Sequence, residues 1–175
     1  ALACGSWGIG SLVSSLAEFF NFQENATLVS NISYSLFYPF AFLAIPRIIG
    51  RRAKLQLLEI LDAAIFGLGL SSIVTALILI KFISDIPGDS ANAFFAVLYP
   101  VCDIALVVIA IVSAFISGFS KRSVVLIAGI LSFALTDFYF LLQQISGSYS
   151  FGQISDDGWL LGISLMALSL WATPN

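Results

Sequence analysis

The sequence predicts an all-α integral membrane bundle: six transmembrane helices, paired as three helical hairpins. Three observations predict it. First, 59% of the 175 residues are hydrophobic and 10% are charged, with a mean hydropathy of +1.03. Soluble domains are about half apolar and about 25% charged. So little charge cannot solvate a globule of this size, and the medium is lipid. Second, apolar runs of about 20 residues, the length that crosses a bilayer, recur six times. Third, six of the seven basic residues lie on alternate connections between those runs.

The first segment covers roughly 1–21 and the second roughly 33–49, with a polar stretch between them. In that stretch NAT (25–27) and NIS (31–33) match the acceptor pattern for N-glycosylation. The third segment covers 60–80, with Asp62 in its first turn, where the helix dipole favours a carboxylate. The stretch SDIPGDSAN (84–92) carries turn chemistry. It leads into a fourth segment at 94–116. The fifth covers 123–143 and the sixth 157–173. Tyr38-Pro39 and Tyr99-Pro100 are expected about one turn into the second and fourth segments. There a proline costs little and a tyrosine suits the water–lipid boundary. Ala63, Gly67, Ser71 and Thr75 recur every four residues on the third segment, a spacing that lets helices approach closely in lipid. The expected use is packing within the chain, and a dimer seam is the alternative.

Orientation follows from Lys and Arg. Arg47, Arg51, Arg52 and Lys54 lie between segments two and three, and Lys121 and Arg122 between four and five. The opposite connections hold Lys81 alone, together with Glu24, Asp85, Asp89, Asp156 and Asp157. By the positive-inside rule the basic side is cytoplasmic. The location expected is therefore the cytoplasmic membrane of a prokaryote, with both ends of the sequence in the cytoplasm. The chain begins at Ala1 without methionine, as expected for part of a longer protein, and carries no signal peptide pattern.

Tyr38 and Tyr99 are 61 residues apart, and Trp159 follows 60 later; Gly8, Gly69 and Gly129 keep the same intervals. This spacing suggests a tandem repeat of about 60 residues within a single domain over 1–175. Its hairpin units are about 1–50, 60–117 and 121–173.

The sequence has no histidine. A Ser–His hydrolase is excluded, and a haem, zinc or copper centre built by this chain alone is disfavoured. Cys4 and Cys102 fall inside apolar segments and read as small buried hydrophobes. No cofactor, no metal and no enzyme activity are expected. No basic patch suits nucleic acid.

Carboxylates inside the bilayer are candidates for function. Asp103 lies roughly 13 Å below the outer surface and Asp137 roughly 9 Å, at the rise of an α-helix. Glu18 is near the outer end of the first segment. Tyr34, Tyr99, Tyr139, Gln143, Gln144 and Trp159 could donate hydrogen bonds to them. One reading is an outer pocket for a proton, cation or small ligand. The other is polar contact between helices, with no ligand.

The run YSLFYPFAFLAI, then LDAAIFGLGLSSIV, LYPVCDIALVVIAIV and FALTDFYFLLQQISGSYSFGQISDDGWLLGISLMALSL, resembles the N-terminal membrane input domain of bacterial signalling proteins. In those proteins a multi-helix region precedes PAS, diguanylate cyclase (GGDEF) or phosphodiesterase (EAL) domains, or a histidine kinase. Tyr38-Pro39, Tyr99-Pro100, Asp103, Asp137, Tyr149, Gly152 and Trp159 carry the resemblance, which covers nearly the whole chain. It implies a sensory or anchoring role and no defined ligand. A cytoplasmic output domain would then follow this chain. An accessory subunit of a larger membrane complex is the alternative, and a small transporter or channel a third. The partners expected are the bilayer, and other membrane subunits or a second copy.

Overall fold

A computed structural model describes residues 1–49, 57–79 and 90–171. All regular structure among them is helical: α1 (Leu2–Phe20), α2 (Gln23–Ile49), α3 (Leu57–Leu79), α4 (Ser90–Ser117), α5 (Lys121–Ser146) and α6 (Asp157–Trp171), with a short 3-10 turn at Ile154–Asp156. Among these residues, three helices are long and apolar enough to cross a membrane. They are α2 over Ala26–Ile49, α4 over Val97–Ser117, and the whole of α5. α1 falls short for a visible reason. It is interrupted by Gly5, Ser6, Gly8, Gly10, Ser11, Ser14 and Ser15, and carries Glu18. In α3, 23 residues long, the described apolar stretch is Ala64–Ile73. α6 is described over 15 residues, Asp157–Trp171, about 22 Å of helix.

Six segments were expected and six helices form, but α2 begins well before the position the sequence suggested, at Gln23. α1 stops at Asn21, which takes the left-handed conformation (φ 54) and donates its N–H to the Ala17 carbonyl. Asparagine tolerates that geometry. Only Asn21 and Phe22 then separate the two helices. The following QENATLVSN holds no Gly or Pro, so polarity there colours the first turns of α2 without breaking them. The two glycosylation matches therefore lie on helix, not loop.

This start also moves the Tyr-Pro pairs. Pro39 lies in the middle of α2 and Pro100 inside α4. Each removes one backbone donor, a local defect that packed membrane helices accommodate. Tyr38, beside Pro39 in α2, is 4% exposed. Asp62, expected in a first turn, stands in the second turn of α3. Arg47 is exposed in the last turn of α2. Arg51, Arg52, Lys54, Lys81, Asp85 and Asp89 lie outside the described residues.

The chain divides into two compact units, Ala1–Ala44 and Ile45–Asn175. In the first, α1 and α2 meet where Gly10 faces the ring of Tyr34 and the Ser30 carbonyl. The Tyr34 ring also lies 6.0 Å from Trp7, and its hydroxyl donates to Ser14 Oγ at 3.4 Å. In the second unit α4 packs on α3 and α5, and α5 on α6. The buried stripe of α4 is Ala105, Leu106, Ile109, Ala110, Ser113 and Ala114, the 3.6-residue period of one helix face. Gly67 of α3 meets the Ala105 carbonyl.

The α5–α6 crossing is closest. A Cβ on Gly129 would stand 2.8 Å from the Gly162 carbonyl, and one on Gly162 would stand 3.0 Å from the Gly129 carbonyl. One turn further along, Gly158 abuts Thr136, and Ser132 Oγ donates to the Gly158 carbonyl at 3.3 Å. At Gly8 and Gly69, spaced like Gly129 in the sequence, an added methyl would find nothing within 4 Å. The three glycines share an interval but not a packing role.

Candidate functional site

The densest set of polar and aromatic contacts lies where α5 turns into α6. α5 opens on a capping box, in which Ser120 and Ser123 bond each other's backbone N–H. It closes at Gly147, left-handed at φ 65, whose N–H reaches the Gln143 and Gln144 carbonyls. Ser148 N–H returns to the Gln143 carbonyl at 3.0 Å, the closing bond of a Schellman motif. Gly152 takes φ 83, and the 3-10 turn then leads into α6. Asp157 stands in the first turn of α6, where the helix dipole favours a carboxylate.

Three rings form a column across this end. Tyr149 meets Phe140 edge-on at 4.7 Å, and Phe140 meets Trp159 at 5.4 Å. The Trp159 indole N–H donates to Asp137 Oδ1 at 2.6 Å, tying the third residue of α6 to α5. Beside the column, Gln143 Nε2 donates to Gln153 Oε1 at 2.8 Å, and Gln153 Nε2 donates to Ser150 Oγ at 2.8 Å. Ser155 Oγ donates to Gln143 Oε1 at 3.4 Å. Asp156 Oδ2 accepts the Gly152 N–H at 2.8 Å and the Tyr149 hydroxyl at 3.5 Å. Its other oxygen is buried without a hydrogen-bond partner.

Of the residues singled out in the sequence, Asp137, Gln143 and Trp159 come together here. Gln144 is half-buried on the last turns of α5. Tyr139, on the same helix, is 51% exposed and points out of the cluster. Tyr99 stacks on Phe95 at 6.0 Å. Asp103 is at the midpoint of α4 and 2% exposed; Cys102, beside it, is half-buried and not disulfide-bonded. Glu18 and Tyr34 belong to the other compact unit. Phe140, Gln153, Ser155 and Asp156 complete the cluster. Of these four, the sequence marks Asp156 alone, as an acidic residue of the connections opposite the basic ones.

The opposite end of α5 departs from expectation. Arg122, read from sequence as part of a basic loop with Lys121, is in the first turn of α5 and only 5% exposed. Its Nε donates to the Ser169 carbonyl at 2.8 Å and its Nη2 to the Leu170 carbonyl. A cation bonded to the last carbonyls of a helix also complements its dipole. Lys121 stays exposed. α6 is thus held at both ends by α5, through Trp159–Asp137 and through Arg122.

Chemically, the loop-end cluster offers carboxylates, amides and aromatic faces whose hydrogen bonds are largely made among themselves. Among the described residues no three His, Cys, Asp or Glu side chains are grouped to hold a metal ion. Comparison with known proteins found no matching family model, no matching curated protein and no matching solved structure.

Proposed function

We propose that this chain is a non-catalytic membrane module, an input or anchoring domain of a signalling protein. In this reading six helices cross the membrane as three hairpins, with both ends in the cytoplasm. α6 is the element that would carry a change onward. The observation that supports the reading is the double attachment of α6 to α5. A disturbance of the loop-end cluster acts on Trp159, while Arg122 holds the end from which the chain leaves α6. A helix gripped at both ends can respond as a rigid rod, and rigid shifts of packed helices are a common switching element.

The test is a density map of the particle isolated from its native membrane in mild detergent, with every neighbouring chain built. The expected result is a lone bundle or a symmetric dimer with cytoplasmic density following α6. A bundle packed across a wide apolar face on other membrane subunits would instead make it an accessory subunit.

A further inference from the structure

Arg122 has more hydrogen-bonding capacity than the chain satisfies. Two of its nitrogens reach α6 carbonyls, but Nη1 is buried and has no partner. Ser117 Oγ, at the last residue of α4, is likewise buried without a partner. Only the turn 118–120 separates α4 from α5. The N–H groups of Lys121 and Arg122, in the first turn of α5, have no acceptor within their helix. Lys121 adds an exposed cation. Among the described residues no carboxylate pairs with Arg122. The α6 C-terminus offsets about half a unit charge. Buried donors without acceptors are rare, and a buried guanidinium without a counter-anion is costly.

We propose that the α4–α5 turn and the end of α6 form a site for a phosphate group, taken from an anionic lipid headgroup or from free phosphate. Arg122 Nη1, Ser117 Oγ and Lys121 are its donors. The guanidinium fork matches phosphate oxygens, and their charge makes them stronger acceptors than the carbonyls it now holds. Nη1 is covered by protein, so phosphate enters as the last turn of α6 moves off Arg122. That turn ends in Trp171, which is 87% exposed. The proposal rests on membrane placement and not on the input role, so the two can fail separately.

The test uses the full chain in lipid nanodiscs of phosphatidylcholine alone, of phosphatidylcholine mixed with phosphatidylglycerol, and of phosphatidylcholine with inorganic phosphate added. The thermal unfolding midpoint and the lipid retained in native mass spectrometry are read. Wild type should be stabilised by phosphatidylglycerol or by phosphate. A shift with phosphatidylglycerol alone assigns the headgroup, and a shift with phosphate in phosphatidylcholine assigns the free ion. Arg122→Lys keeps the charge but loses the fork, and should weaken binding about tenfold, the equivalent of one charge-assisted hydrogen bond. Lys121→Gln, at an exposed position, should fold normally and weaken binding about threefold, the scale of one surface charge. No response of wild type to either probe overturns the site. So does a folded Lys121→Gln or Arg122→Lys protein with wild-type binding.

Discussion

Single residues at the ends of α5 carry much of the specificity of this fold. Trp159 is bonded to a carboxylate at 2.6 Å and packed edge-on against Phe140. Trp159→Phe keeps most of the ring packing and loses the donor. It should lower stability by about 1–2 kcal/mol, the lower part of the range for bonds to charged groups, because the pair is only half-buried. Asp137→Asn retains an acceptor oxygen and should cost less. Thermal unfolding of both single variants and the double variant in detergent isolates the pair. A coupling near zero would mean that the contact contributes shape alone. Asp137 and Trp159 were both legible in the sequence, as a carboxylate within an apolar run and an aromatic at a segment start. Arg122 was not. A basic residue beside a turn reads as a topology signal, and nothing local shows that α6 ends against it.

At the level of elements, helix pairing is decided by where side chains are missing. Gly129 and Gly162 bring the α5 and α6 backbones together, so Gly162→Leu must separate the helices or fail to form them. The expected loss is about 2–4 kcal/mol, on the scale of core overpacking combined with lost burial. Gly8→Ala and Gly69→Ala meet open space. Each should be neutral or stabilising by up to about 1 kcal/mol, from helix propensity. Comparing the unfolding midpoints of these three variants with wild type separates glycines that pack from glycines that merely recur; equal effects would reject the distinction. Interval counting treated Gly8, Gly69 and Gly129 alike, because spacing along a chain carries no information about facing atoms. The start of α2 was misplaced for a related reason. Polar composition reads as loop, while the absence of any helix-breaking residue after Asn21 lets the helix run through it.

For the whole molecule the decisive quantity is which connections share a side of the membrane. With Cys4 and Cys102 replaced by serine, Lys121→Cys should label with a membrane-impermeant maleimide only from the cytoplasm. Ser148→Cys should label only from outside. Labelling of both from one side would reject the crossing of α5, which is among the three helices long and apolar enough to span. The same experiment with Asp157→Cys and Trp171→Cys tests whether α6, with 15 described residues, crosses as well. Labelling of those two positions from one side would make it a surface helix.

By itself the sequence determined that the chain is helical, that its composition suits lipid, and that six apolar segments recur. These properties follow from composition and periodicity, which each residue carries wherever it ends up. It also marked Asp103, Asp137 and Trp159, since a charge or an indole stands out in apolar surroundings. Only the tertiary structure decided which of these meet. It joined Trp159 to Asp137 and left Tyr139 facing outward, and it turned Arg122 from a loop charge into the clamp on α6. Those outcomes depend on the rotation of each helix about its axis and on the register between helices. Both are set by close contacts such as Gly129 on Gly162, between residues far apart in the chain.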